Sequence, residues 1–205
     1  MTTSHITQPH IGHYRTILID PPWQQTMSGK YRESKQKRPA SLPYATMTID
    51  QIQSLPVASL AAQGCHLWLW TTNQYIRHGF DLMDSWGVRY LAPITWVKPS
   101  GIGNWFVHRT QTLLMGYRDK CQFNAARYRP TVLDGCSPVR HSQKPLASYE
   151  LIESVSDAPR VELFARSVRP GWDAWGNEVP STVCGSSQWT QHILNANLNP
   201  LDVLL

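Results

Sequence analysis

The chain has 205 residues, 41% of them hydrophobic, with 9 Trp, 15 Pro and a formal net charge of +5. That length suits one domain burying roughly 70% of its unfolded surface, and the basic balance favours polyanionic partners. The lack of an apolar run near ~18 residues, of a secretory leader and of any C-x-x-C pair argues against a membrane span, export, a zinc site or a disulfide framework.

Residues 1–14 are polar, carry three histidines and predict a flexible arm. The run Thr16-Ile17-Leu18-Ile19 predicts a buried strand over 15–19. Asp20-Pro21-Pro22-Trp23 follows at its C-terminal end, the edge where ligands bind in open α/β sheets. Neither proline offers a backbone N–H, and each holds φ near about −65°, so the pair cannot continue the sheet. The carbonyls, the Asp20 carboxylate and the Trp23 ring are therefore held in a fixed geometry. Such a platform suits a flat group bearing N–H donors, as an amino-bearing nucleobase is; the plainer reading is a strand-ending turn with a packing tryptophan.

Residues 24–43 form a long polar loop with Lys30, Arg32, Lys35, Lys37 and Arg38 against only Glu33, a composition suited to tracking phosphates. Beyond it a short helix is expected over 48–55, a strand over 65–71, and a helix over 73–86 capped by Asn73. A strand over 88–98 leads into a second long loop over 99–109. Residues 110–117 and 121–126 predict an antiparallel hairpin across Arg118-Asp119-Lys120. Then Lys144-Pro145 opens a helix over 146–155, whose N-terminus, beside Lys144, favours a carboxylate; Glu150 and Glu153 read as a wet helical face. A strand over 160–164 ends in Phe164, an apolar face for an adenine, with Arg166 beyond it as a donor to ribose hydroxyls. Asn177 and Glu178 add hydroxyl contacts in the αβ step that begins at Gly171. Strands alternating with helices predict an α/β fold with a mostly parallel sheet. The lone Gly101-Ile102-Gly103 is not a dinucleotide fingerprint. The main domain is expected over 15–180, with a tail over 181–205.

Taken in order, the D-P-P-W segment, His141-Ser142-Gln143-Lys144-Pro145, and Val161-Glu162-Leu163-Phe164-Ala165-Arg166 running on to Glu178 resemble a known family. It is that of the adenine-N6 methyltransferases related to the catalytic subunit of the eukaryotic mRNA-adenosine methyltransferase, named for its seventy-kilodalton subunit. Its members include many prokaryotic and phage-borne proteins. The resemblance implies a Rossmann-like, S-adenosylmethionine-dependent methyltransferase with permuted motif order and a terminal antiparallel hairpin. In it the catalytic Asp20, Pro21, Pro22 and Trp23 precede the cofactor strand that carries Glu162. It implies that Asp20 to Trp23 hold the target amino group, that Tyr44, in an L-P-Y-x-T-M segment, lines the target pocket, and that Trp23 and Tyr44 sandwich the base. By the same resemblance Trp70, Trp96 and Lys98 lie on the substrate side. Arg118 meets the cofactor's methionine carboxylate, and Asp20, Lys144, Glu162, Phe164, Arg166, Asn177 and Glu178 complete the cofactor site. No metal is expected.

The resulting expectation is an enzyme methylating the N6 amino group of adenine in nucleic acid, DNA ahead of RNA. It would work in the cytoplasm of a prokaryote or be encoded by a phage, away from membranes, as a homodimer or beside a methyltransferase-like subunit. The alternative is a non-catalytic nucleic-acid-binding subunit. Such degenerate relatives lose the acid or the tryptophan of the tetrapeptide, and this chain keeps both Asp20 and Trp23.

Overall fold

A computed structural model describes residues 12–24, 46–102, 105–120, 123–124, 128–134, 144–176 and 179. The strands are β1 (Tyr14–Ile19), β2 (Ala61–Thr71), β3 (Arg89–Ile102), β4 (His108–Arg118), β5 (Val132–Leu133), β6 (Arg160–Leu163) and β7 (Trp172–Trp175). The helices are α1 (Ile49–Gln53), α2 (Val57–Leu60), α3 (Ile76–Ser85) and α4 (Leu146–Val155). Among the described residues the strands form one seven-stranded sheet of order β5-β3-β4-β2-β1-β6-β7. Four neighbouring pairs are parallel and β4 alone opposes both of its neighbours. The chain is thus an α/β protein with a mostly parallel sheet.

Side chains alternate across the sheet as strand geometry requires, and both faces are buried. Ile17 and Ile19 join a core with Ile52, Leu60, Leu82 and Met83 from α1, α2 and α3. Leu18 joins a second core with Tyr149, Ile152 and Val155 from α4. Each such side chain contributes about 1.5–3 kcal/mol by leaving water, so a charge at Ile17 would break the packing of β1.

The local signals for α1 hold. Thr48 accepts from the backbone N–H of Gln51, and the Gln51 side chain accepts in return from that of Thr48, closing a capping box. Three expectations do not hold. Asn73 does not cap α3: Tyr75 takes the N-cap position, and Asn73 binds His108 and Thr110 on β4 instead. The hairpin joins β3 to β4, not 110–117 to 121–126, because β4 already has β3 on one side and β2 on the other, leaving no free edge. The supposed loop over 99–109 is mostly strand, since β3 continues to Ile102 and β4 begins at His108. The expected arm (its residues 1–11), most of the basic loop and the tail from 181 lie outside the described residues.

The chain leaves β1 for β2 on one side and returns through α4 to β6 on the other. The C-terminal ends of β1 and β6 therefore flank the point where the strand order reverses, and a crevice opens there in folds of this kind. Asp20 follows β1, and Phe164, Ala165 and Arg166 follow β6, so both segments meet at this edge.

Candidate active site

Asp20 continues the alternation of β1 toward the face covered by α4. There its Oδ2 accepts a hydrogen bond from Lys144 Nζ at 2.6 Å, and the two side chains are only 20% and 10% exposed. Lys144 reaches this position because Pro145, extended at the N-cap, delivers the chain onto the sheet just before α4. The same ammonium lies 5.3 Å from the centre of the Trp70 ring. Lys98 is close enough for its own pKa to be lowered, first by burial and then by repulsion from Lys144.

One strand over, Glu162 pairs in register with Leu18 and is buried beneath α4. It accepts a hydrogen bond from the Tyr149 hydroxyl at 2.8 Å. Burial is the main reason its pKa rises to about 7; the negative Asp20 adds to the rise, while the Tyr149 hydrogen bond, Arg169 and Lys144 oppose it. The Tyr149 phenol is held far above its ordinary value, by burial first and then by Glu162. The Arg169 guanidinium lies 3.9 Å from the centre of the Tyr149 ring. The cluster thus contains two acids, two cations and a phenol with little access to water.

After β6 the chain turns sharply. Phe164 has a φ of +65°, a left-handed conformation uncommon for a bulky residue. Its ring packs edge-on against Trp175 at 5.3 Å. Gly176 closes the turn from the other side, where a Cβ would stand 2.1 Å from the Ala165 carbonyl oxygen, so only glycine fits. Backbone strain of this kind clusters at ligand-binding turns, and it presents Arg166 at the edge shared with Asp20.

Trp23 departs from its expected role. Its side chain is 5% exposed and lies stacked on Tyr75, with centroids 5.0 Å apart. Its indole N–H donates to the Trp70 carbonyl at 3.0 Å, and its backbone N–H donates to the Pro21 carbonyl at 2.8 Å. The Pro22 carbonyl accepts from Met47 N–H, so every residue after Asp20 in the tetrapeptide is tied down. With Tyr75 on one face and core around it, the ring fixes the loop and offers no platform for a base. Trp70 and Trp96 are also core residues, packed edge to face at 6.1 Å.

Arg118 is not at this edge. It pairs with Cys65 while Leu113 pairs with Trp70, a separation of five residues or about 17 Å along the strand. Its guanidinium instead donates to the Ala58 carbonyl at 2.8 Å. Because β4 runs against β1, its C-terminal residues lie at the far edge of the sheet. Tyr44, Lys30, Arg32, Lys35, Lys37, Arg38, Asn177 and Glu178 lie outside the described residues. Sequence reasoning missed Tyr149, Arg169 and Tyr75; the first two stand beside motif segments, but only the packing of α4 on β6 joins them. Glu153, expected in water, accepts from the Trp172 indole at 2.7 Å. Among the described residues no cluster of His, Cys, Asp or Glu could hold a metal ion, and no helix is long and apolar enough to cross a membrane.

Comparison with known proteins identifies the chain's family. The chain is 30% identical over 182 residues to the Type II methyltransferase M.MunI of Mycoplasma sp, covering 82% of this chain and 78% of that protein. It is 31% identical to the human N(6)-adenine-specific methyltransferase METTL4 over 84% of this chain, and 28% identical to the human N(6)-adenosine-methyltransferase catalytic subunit METTL3 over 82%. It spans only 39% and 29% of those two proteins. The MT-A70 family model matches residues 14–178, from the first residue of β1 to the end of the proposed cofactor segment, and the chain belongs to that family.

Proposed function

We propose that the protein transfers a methyl group from S-adenosylmethionine to the N6 amino group of adenine in DNA. The observation that carries this is the Asp20 carboxylate, held by Lys144 at the C-terminal edge of β1 beside the buried Glu162. The residues present fit the cofactor: Lys144 and Arg166 would meet its anionic and hydroxyl groups, the acids its positive charges, and Phe164 its apolar face. Bound there, S-adenosylmethionine supplies an electrophilic methyl on a sulfonium sulfur.

The chain's own task is to make a poor nucleophile react. An adenine amino group shares its lone pair with the ring and is flat. Asp20 Oδ1 and the second lone pair of the Pro21 carbonyl, the first being taken by Trp23 N–H, would accept its two hydrogens and draw it toward a tetrahedral shape. The same oxygens stabilise the positive charge that grows on nitrogen, and preorganised groups of this kind are worth about 10²–10³ in rate each. Asp20 Oδ1 then takes the proton that the methylated amine sheds. Lys144 acts by fixing the carboxylate's rotamer. A base in a duplex would have to leave the stack to reach this crevice.

DNA as the polymer is supported by the coverage of the bacterial Type II methyltransferase along 78% of its own length. The test is mass spectrometry of DNA and RNA oligonucleotides incubated with the protein and S-adenosylmethionine, with Asp20→Ala as control. N6-methyladenine formed in DNA and abolished by the substitution is the expected result. Methylation confined to RNA would move the proposal to that polymer, and cofactor binding with no transfer to either would overturn it.

A further inference from the structure

The hairpin of β3 and β4 outruns the sheet at the candidate active edge. Thr112 pairs with Thr71, the last residue of β2, yet β4 starts at His108. Its first four residues thus project about 13 Å beyond β2, at strand rise. The arm stands one strand from β2 and two from β1, on the edge that carries Asp20. It is a built element. Arg109 Nε donates to the Lys98 carbonyl at 3.0 Å, and Asn73 ties His108 and Thr110 to the loop after β2. At Gly101 a Cβ would meet the His108 carbonyl oxygen at 2.4 Å, so the two strands close to a separation only glycine permits.

What the arm carries is unusual for a solvent-facing tip: Trp105, Phe106 and Val107 are 94%, 79% and 63% exposed. No core function explains them. The flanking charge is of one sign, because residues 98–112 include Lys98 and Arg109 and no acid. Aromatic rings between cations suit stacked bases within a phosphate frame better than a protein surface. An adenine drawn out to Asp20 leaves a vacancy in its duplex, and inserted apolar side chains are a known means of filling or opening such steps. We infer that the β3–β4 arm is a wedge whose Trp105 and Phe106 enter the base stack where the target adenine leaves it. This rests on the reading of duplex nucleic acid as the substrate.

The test measures binding, so it does not depend on turnover. Fluorescence anisotropy would compare an intact DNA duplex with the same duplex carrying one abasic site, a vacancy made in advance. The full-length protein should bind the abasic duplex about tenfold more tightly, the worth of one stacked ring. Trp105→Ala should erase most of that preference and Trp105→Phe should keep it, with thermal unfolding unchanged in both. No preference in the unsubstituted protein, or one that survives Trp105→Ala combined with Phe106→Ala, would overturn the wedge. So would a preference untouched by Trp105→Ala together with conversion of a dimer to a monomer in light scattering, which would make the tip a protein interface. A preference that depends on Trp105 in a protein that methylates no nucleic acid would uphold the wedge and overturn the methyltransferase reading alone.

Discussion

Replacing Glu162 by Gln tests the electrostatics of the site directly. The carboxyl is 7% exposed and its pKa is raised from 4.5 to about 7, chiefly by burial. A group whose folded pKa is raised binds its proton more tightly in the folded state. For this acid, stability is fully present below pH 4.5, declines as pH rises, and levels off above pH 7. A rise of that size is worth about 3 kcal/mol. Most of that is lost between pH 5 and pH 8.5. Glutamine has nearly the same shape, still accepts from the Tyr149 hydroxyl and cannot ionise. Urea unfolding of both proteins at pH 5 and pH 8.5 separates this group from the rest, since other titrations cancel in the difference. Relative to the unsubstituted protein, Glu162→Gln should gain about 2–3 kcal/mol on going to the higher pH. A difference that does not change with pH would refute the assignment, because it would mean that Glu162 ionises at an ordinary pH in the folded protein.

Three further outcomes follow from the geometry. Asp20→Asn should lower single-turnover methyl transfer about 10²–10³-fold with an unchanged circular-dichroism spectrum; transfer near the original rate would remove Asp20 from the chemistry. Lys144→Met should slow transfer by at least about tenfold while leaving the fold in place, since it frees the carboxylate that must be aimed, and an unaltered rate constant would show that Asp20 needs no such hold. Arg118→Ala should leave transfer and cofactor affinity within about twofold, as for other substitutions remote from a site; a large rise in the cofactor's dissociation constant would restore the role its place in the motif suggested.

The parts of the fold legible in the sequence were those whose signal is local. β1, α4 and β6 stand within a residue or so of the expected positions, because β1 ends in the apolar run Ile17-Leu18-Ile19, Val161 and Leu163 mark β6, and Pro145 marks the start of α4. The failures share one cause, a pairing decided by residues far away in the chain. Residues 121–126 follow 110–117 closely enough to suggest a hairpin, but β2 and β3 already occupy both sides of β4. Asn73 stands where a cap would, yet Thr110 and His108 offer it better partners across the sheet. Arg118 was misplaced because linear order does not give strand direction. On the parallel strands the site lies at the C-terminal ends, and on the antiparallel β4 it lies at the N-terminal end.

That reversal also reassigns the aromatic residues. The sequence offered Trp23 as a stacking face because it stands beside the acid. The structure uses the indole's flatness differently, burying it against Tyr75 and tying its N–H to β2, so that Pro21 and Asp20 keep one orientation. A loop that must hold an acceptor to within a fraction of an ångström gains more from a buried anchor than from an exposed ring. The rings that do face solvent at this edge, Trp105 and Phe106, stand just before β4, the strand that runs the other way. Trp23→Phe separates the two duties. It deletes the hydrogen bond to Trp70 and part of the buried ring, and should cost about 1–3 kcal/mol of stability in urea unfolding. Affinity for duplex DNA should be unaffected, whereas a base-stacking Trp23 would show the opposite pattern, with affinity lost and stability kept.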